Sequence, residues 1–579
     1  MSTSPTFPDD LNLADYYLFD RLAEGLGDKV AIRFGDLHQT YAEVADRVRA
    51  LRGFFAASGV AREERVLIAL HDSPAYAWAF FATLHHGAVV AMGNPDAPAD
   101  DLAYLVEYTR ASVVITNPRA AVGILPALAA AGLRALILVP EVATGEDVEG
   151  DVWSSLEPTA EESSAEVVPA GGSSLAALSP VSLRDAIEHG RHSQPSPPRP
   201  TKRDDIAIWL FTSGSTGRSK AAIHTHRDFA FNTEVYAKGT VGFRPDDITV
   251  SVPRLFFGYA TGTNLMFPFA VGATTALFAE RPTPEALTAA IERYRPTVVT
   301  NVPTMMGKLL ELDDVRAAAG LPRLDFASVR FHLSAGEALP PALLQRFTER
   351  FPADVYDGIG SAEMFHIYCS NRPGDIKPGS LGRVVTGYEV KILASEAKGP
   401  GAPELPRGET GVMWVKGDSV ALGYFQDRDK SWATFYGHWC RTGDLFRLDD
   451  DGYLWFSGRA DDLLKVGGIW VAPIEVEECL MRHPAVSLAA VVGAEEDDGL
   501  VKPKAFIVLR DEHRARAATE AGCGALAAEL KEHVKERLSK HKYPRWIVFT
   551  DDVPKNDRGK VDKKTLKAQE AAGESPKGH

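Results

Sequence analysis

Short apolar runs alternate with helix-like stretches along most of the chain. Apolar residues recur at helical spacing from Tyr41 to Ala57, and an apolar run follows at 66–70. Further runs at 112–116, 135–139, 206–211, 297–301 and 329–333 are too short for buried helices and read as buried strands. Strands that alternate with helices predict an α/β fold whose parallel-type sheets are flanked by helices. The most apolar window, 75–92, is interrupted by His85, His86 and Gly87. It reads as a buried helix followed by a strand from about Ala88, not as a membrane span.

The pattern changes twice. Residues 142–203 are dominated by Glu, Ser, Ala, Pro and Gly and predict a mobile surface insertion, with one helical piece at 183–189. Near 458–462 a second change marks a boundary. Beyond it the pattern gives a helix at 474–482, strands at 488–492 and 505–509, a helix at 526–538 and a strand at 546–549. The expected organisation is a large domain over 1–460, including a β-rich subdomain, and a small mobile α+β domain over 461–579. The tail from 569 onward predicts disorder.

Composition narrows the function classes. The 579 residues carry a net charge of −15, which argues against broad nucleic-acid binding. Four cysteines (Cys369, Cys440, Cys479, Cys523) are scattered with no Cys-x-x-Cys pair. That spacing predicts reduced thiols in a cytoplasmic protein, without a disulfide framework or a zinc site. The first ten residues show no basic region followed by an apolar one, so no signal peptide is expected.

The most informative stretch is Thr212-Ser213-Gly214-Ser215-Thr216-Gly217-Arg218-Ser219-Lys220, directly after the 206–211 strand. Gly214 and Gly217 permit a sharp turn that brings backbone N–H groups close to an anion. Four hydroxyl side chains add donors, and Lys220 adds a positive charge. Such a loop suits a polyphosphate, although no Gly-Lys-Ser/Thr closes it in the Walker manner. Further motifs accompany it. They are Asp357-Gly358-Ile359-Gly-Ser-Ala-Glu363 after a strand, Arg441-Thr-Gly-Asp444 between aromatic strands, Gly458-Arg459-Ala-Asp461 running on to Gly467-Gly468, and Pro554-Lys-Asn-Asp-Arg-Gly-Lys560 near the end.

Taken in this order, these motifs resemble the adenylate-forming superfamily of acyl-CoA synthetases, carrier-protein adenylation domains and luciferases. The resemblance extends over roughly 11–566. Phe256-Phe257-Gly258-Tyr259-Ala-Thr-Gly262, Ser334-Ala335-Gly336-Glu337-Ala-Leu-Pro340, Glu363-Met-Phe-His366-Ile367 and Ser370-Asn-Arg-Pro-Gly-Asp375 make the chain most similar to the benzoate-CoA ligase branch. The resemblance implies that an aromatic carboxylic acid is activated by ATP as its acyl-AMP and passed to coenzyme A, or alternatively to the phosphopantetheine of an acyl carrier protein. A third reading, a weakened aryl-acid binding protein, is motivated by departures from the family pattern. Ala362 stands where threonine is usual, Ser219 where proline is, and Ala221 where glycine is.

The resemblance also implies residue roles. The 212–220 loop would hold the β- and γ-phosphates, and Glu363 would ligate Mg²⁺. Ala335, Gly336, Glu337, Asp357, Gly358 and Ile359 would contact the nucleotide. Asp444 would accept the ribose hydroxyls, with Arg459 near the ribose and phosphate. Lys560 would bridge the carboxylate and the α-phosphate. Asp461 would be the hinge of a domain rotation that brings Gly467 and Gly468 to the thiol. Phe257, Gly258, Tyr259, Ala335, Ile359 and His366 would line the acid pocket, with Asn301 to Thr304 nearby. His366 would offer a hydrogen bond to the carboxylate or to a ring substituent. Gly258 replaces the branch's usual alanine and would leave room for a larger acid.

Overall fold

The computed structural model describes residues 4–140, 175–193, 200–213, 218–459, 462, 464–466, 469–495, 501–554, 561–574, 576 and 578. The chain divides into two units, residues 1–390 with 415–441 and residues 391–414 with 442–579.

The apolar runs of the first unit become central strands because helices cover both faces of its sheets. One sheet has nine strands, in the order Arg383–Val384, Ile367–Ser370, Asp354–Gly360, Phe331–Ser334, Val298–Asn301, Ile248–Ser251, Thr274–Leu277, Val30–Phe34 and Leu37–Thr40. Its middle six strands run parallel, and antiparallel strands close both edges. The second sheet has seven strands, ordered Val181–Ser182, Ala135–Leu138, Val113–Thr116, Arg65–Ala69, Val89–Met92, Ile206–Ser213 and Ser219–Thr225. All its neighbours pair in parallel except the last two, which form a hairpin.

Local chemistry accounts for the helices. Thr40 and Glu43 make a capping box that starts the helix Tyr41–Ala57 at the position its periodicity gives. The apolar 75–92 window is a helix, Pro74–His86, with all thirteen residues buried, and a strand, Val89–Met92. Between them Gly87 sits at φ +77° as the helix C-cap. No helix among the described residues is long and apolar enough to cross a membrane.

Two expectations change. Most of the 142–203 insertion lies outside the described residues. Its helical piece, however, is the longer helix Leu183–His192, which buries Leu183, Ala186, Ile187 and Gly190. It crosses the helix Tyr41–Ala57 so closely that a Cβ on Gly190 would lie 1.8 Å from the Ala50 carbonyl. This piece is packed structure, not mobile surface.

The second unit contains the antiparallel pair formed by 444–448 of one strand and Leu454–Arg459 of the next. It also contains a three-stranded sheet, Val486–Glu495, Val501–Leu509 and Trp546–Phe549, covered by the helices Pro473–Met481 and Glu520–Arg537. The expected helices and strands of this α+β portion are all present. Its tail is not disordered from 569, because the helix Lys563–Ala571 runs through that point. Three ion pairs hold the helix: Lys563 to Glu477 (2.7 Å), Lys567 to Asp462 (2.7 Å) and Glu570 to Lys504 (2.6 Å). Glu477 and Lys504 are buried, so these pairs are better shielded than surface ones. The fold class is the expected one: parallel sheets flanked by helices, β-rich pairing and a separate C-terminal α+β portion.

Candidate active site

Strand register gathers the candidate residues of the first unit. Across three parallel strands, Asn301 pairs with Ser334, and Ser334 pairs with Asp357. These positions are at or near the carboxyl ends of the strands, where ligands bind in sheets of this kind. Ala335, Gly336 and Glu337 follow Ser334, and Gly336 takes φ +84°, which lets the chain turn away from the strand end. Gly358, Ile359 and Gly360 follow Asp357. A Cβ on Gly360 would lie 2.4 Å from the His366 carbonyl, so only glycine lets the chain fold back to His366.

The phosphate-loop motif spans the hairpin of the other sheet. Thr212 pairs with Lys220, and Ser213 with Ser219. Gly214, Ser215, Thr216 and Gly217 lie outside the described residues. Lys220 is therefore a strand residue at the hairpin's end. Its Nζ sits 3.5 Å from the centre of the Tyr424 ring, a cation–π contact. The Tyr424 hydroxyl donates to Glu363 Oε1 at 2.7 Å. Burial pulls the Lys220 ammonium below the ordinary lysine value, and the Glu363 charge opposes that shift. A partly buried cation and a carboxylate thus stand together where the hairpin strands connect, at the Thr212–Lys220 pair.

Glu363 suits magnesium. One of its oxygens takes the Tyr424 hydrogen bond, and no hydrogen bond or ion pair to the other is found among the described residues. Among the described residues there is no cluster of three or more His, Cys, Asp or Glu side chains that could cage a metal. A lone carboxylate beside a polyphosphate cradle is how Mg²⁺ is usually held, with phosphate and water completing its shell.

The segment Phe257, Gly258 and Tyr259, expected to line the acid pocket, follows Leu255, whose main chain is held on both sides. Buried Asp72 accepts from the Leu255 N–H at 2.9 Å, and the Tyr76 hydroxyl donates to the Leu255 carbonyl at 3.0 Å. A Cβ on Gly258 would meet Leu210 at 3.3 Å and the Phe365 carbonyl at 3.7 Å. The missing methyl therefore faces Leu210. His366 is buried among the rings of Phe267 (4.8 Å), Tyr259 (5.3 Å) and Tyr236 (5.5 Å). Burial lowers its pKa to about 3, so it is neutral. Its Nε2 donates to the Tyr259 carbonyl at 3.0 Å, and its buried Nδ1 has no hydrogen-bond partner among the described residues. The donor expected from His366 is already engaged, which leaves Nδ1 as an acceptor.

Other sites fall as follows. The Glu337 carboxylate accepts from the Thr304 N–H (3.0 Å) and hydroxyl (2.7 Å), at the start of the helix Pro303–Ala318. In the second unit Asp444 and Arg459 are cross-strand partners, 3.2 Å apart. Asp461, Gly467, Gly468 and Lys560 lie outside the described residues. Tyr424 and His224 were missed in the sequence because their partners, Glu363 and the Ala362 carbonyl, are distant in the chain, and Asp228 because its Thr225–Asp228 capping box signals only a helix start.

Asp357 carries a measurable consequence. It is buried and accepts from the Ser334 hydroxyl at 2.8 Å. Burial pushes its carboxyl up to about 8. An unfolded aspartate titrates near pH ~3.9. Between these values the unfolded chain has lost a proton that the folded chain keeps, so stability falls as pH rises from about 4 to about 8. Asp357→Asn is expected to remove this slope. Chemical denaturation at pH 5 and pH 8 should show the variant gaining roughly 1–3 kcal/mol on the wild type over that interval. A parallel pH profile in the two proteins would contradict it.

The chain matches the AMP-binding enzyme model over residues 19–425 and the AMP-binding enzyme C-terminal domain model over 475–560. The protein belongs to the AMP-binding enzymes. Within them it falls in the benzoate-CoA ligase-like branch. It is 37% identical to the benzoate–CoA ligase of Thauera aromatica, over 97% of this chain and 96% of that protein. It is 34% identical to the 4-hydroxybenzoate–CoA/benzoate–CoA ligase of Rhodopseudomonas palustris, over 97% and 95%. Among solved structures of AMP-binding enzymes, it resembles the anthranilate CoA ligase AuaEII in complex with anthranoyl-AMP, with a TM-score of 0.80 at 31% identity over 98% of this chain and 99% of that one. It also resembles a benzoate CoA ligase from Burkholderia xenovorans, with a TM-score of 0.78 at 36% identity over 96% and 99%.

Proposed function

We propose that the protein is an AMP-forming aryl-CoA ligase. The carboxylate of an aromatic acid attacks the α-phosphorus of ATP, giving the acyl-AMP and expelling pyrophosphate. The thiol of coenzyme A then attacks the acyl carbon, forms the thioester and releases AMP. The observation that carries this reading is the Lys220–Tyr424–Glu363 cluster at the end of the 206–225 hairpin, in the same unit as the aromatic cluster around His366. Full-length similarity to benzoate–CoA ligases supports the choice of acid and acceptor.

The proposed roles are those the family resemblance implies. Thr212, Ser213, residues 214–217 and Lys220 hold the β- and γ-phosphates. Glu363 holds Mg²⁺, which disperses phosphate charge when bound. Ala335, Gly336, Glu337, Asp357, Gly358 and Ile359 form the adenine side. Asp444 takes the ribose hydroxyls, with Arg459 beside it. Phe257, Gly258, Tyr259, Ala335, Ile359 and His366 bound the acid, His366 as a neutral wall with an acceptor at Nδ1. A mobile domain begins near 460–461, with Asp461 as its hinge. It delivers Lys560 for the first step and Gly467 and Gly468 for the second.

The test is pyrophosphate release on mixing the protein with ATP, Mg²⁺ and a panel of benzoate, aminobenzoates, hydroxybenzoates, heteroaryl acids and short fatty acids. Release with aryl acids, followed by thioester formation with free coenzyme A, is expected. No release with any acid would overturn the reading. Transfer to a holo carrier protein but not to coenzyme A would replace the acceptor.

A further inference from the structure

The segment 362–367 makes an uncommon turn. Phe365 adopts φ +67°, ψ −60°, and the His366 N–H bonds back to the Met364 carbonyl at 2.9 Å. This is a γ-turn of the positive-φ hand, a conformation that a bulky L residue rarely holds and that persists only where its surroundings enforce it. The turn carries Glu363 on one side and His366 on the other. One change of direction therefore sets both the metal carboxylate and the pocket histidine.

The surroundings that enforce it come from the end of the strand Ser219–Thr225, the short helix His226–Asn232 that follows it, and Tyr388 and Ser419. Asp228 and Asn232 are four residues apart and share a face of that helix. Asp228 bonds His224 Nδ1 at 2.8 Å, and His224 Nε2 donates to the Ala362 carbonyl at 2.6 Å. A backbone carbonyl only accepts, so Nε2 carries the hydrogen. At the other end, Asn232 Nδ2 donates to the Ile367 carbonyl at 2.9 Å and to the Tyr388 hydroxyl at 2.9 Å. With the Tyr388 oxygen accepting there, its hydrogen goes to Ser419 Oγ at 2.6 Å. The Ser419 hydroxyl donates to the Met364 carbonyl at 2.9 Å. His224, Asp228, Asn232, Tyr388 and Ser419 are all buried. The network grips the turn by its main chain, so it tolerates alanine at 362.

We infer that His224 with Asp228, and Asn232 with Tyr388 and Ser419, are positioning residues: together they clamp the strained turn so that the magnesium and acid sites are set as one unit. The inference rests on the reading of Glu363 as the magnesium ligand and His366 as a pocket wall. It distinguishes a clamp from ordinary core packing, because loosening either end must disturb both sites.

Asn232→Ala loosens the His366 end, His224→Gln loosens the Glu363 end, and Ser419→Ala releases the Met364 carbonyl between them. For each, the MgATP dissociation constant is measured by calorimetry in the absence of acid, and the KM for benzoate by pyrophosphate release. Each variant is expected to raise both constants about five- to twentyfold, with kcat changing less. Variants that shift only the constant of the end they touch would overturn the inference, as would variants that lower the melting temperature and leave both constants at wild-type values. Ser419→Ala removes a single hydroxyl, and it keeps the test decisive should His224→Gln fail to fold. A wild-type protein that releases no pyrophosphate would overturn the functional reading instead. The MgATP titration still judges the clamp in that case: Ser419→Ala binding MgATP as tightly as wild type would overturn it.

Discussion

Lys560→Ala is expected to slow adenylate formation about 10²- to 10³-fold, the usual worth of one preorganised charge-stabilising donor. Thioester formation from supplied aroyl-adenylate and coenzyme A should remain within about twofold of wild type, because the proposed rotation withdraws Lys560 before the thiol attacks. Two half-reaction assays check this: pyrophosphate release in the first and aroyl-CoA formation in the second. Equal losses in both would contradict the assignment of Lys560 to the first step and, with it, the rotation about Asp461. The split is expected because a mobile C-terminal domain would present different residues in each half-reaction. The helix Lys563–Ala571 begins three residues after Lys560 and is anchored by Glu477, Asp462 and Lys504. Changes at 560 should therefore leave the fold of its own unit intact, and the melting temperature should stay at the wild-type value.

Glu363→Gln is the second large effect. The amide preserves the size of the side chain and can still accept from Tyr424, but it removes the charge that would hold Mg²⁺. Adenylate formation is expected to fall about 10²-fold, and the Mg²⁺ concentration for half-maximal rate to rise at least about tenfold. Lys220 provides the internal comparison. With the opposing carboxylate gone, its ammonium loses a stabilising charge and should titrate lower than in wild type. An unchanged magnesium dependence would remove Glu363 from the metal site.

Much of the fold was legible in the sequence, for identifiable reasons. The helix Tyr41–Ala57 was readable because its periodicity and its Thr40–Glu43 cap agree. The strands were readable because parallel strands buried on both faces leave uninterrupted apolar runs. The helix Lys563–Ala571 was not, because it buries only Leu566 and is held by ion pairs that leave no apolar stripe. The helix Leu183–His192 was underestimated because the Pro- and Ser-rich residues around it dominate the local composition. In the candidate site, the hairpin, Asp357 and Glu363 announced themselves as motifs. Tyr424 and the His224–Asp228 pair did not. Tyr424 meets Glu363 across 61 residues, and His224 reaches the Ala362 carbonyl across 138. The first bond joins side chains that no local motif links, and the second ends on a main-chain carbonyl, which places no demand on the residue type there, so the sequence holds no trace of either. The expectation for His366 shifted for a related reason, since its donor hydrogen serves the Tyr259 carbonyl.

The central claim is that carboxylate oxygen bonds directly to the α-phosphorus of ATP. Benzoate labelled with ¹⁸O in its carboxylate, turned over with ATP, Mg²⁺ and coenzyme A, tests this by mass spectrometry of the products. One labelled oxygen should appear in AMP and none in pyrophosphate. Label in inorganic phosphate with formation of ADP, or AMP carrying no label, would contradict the account.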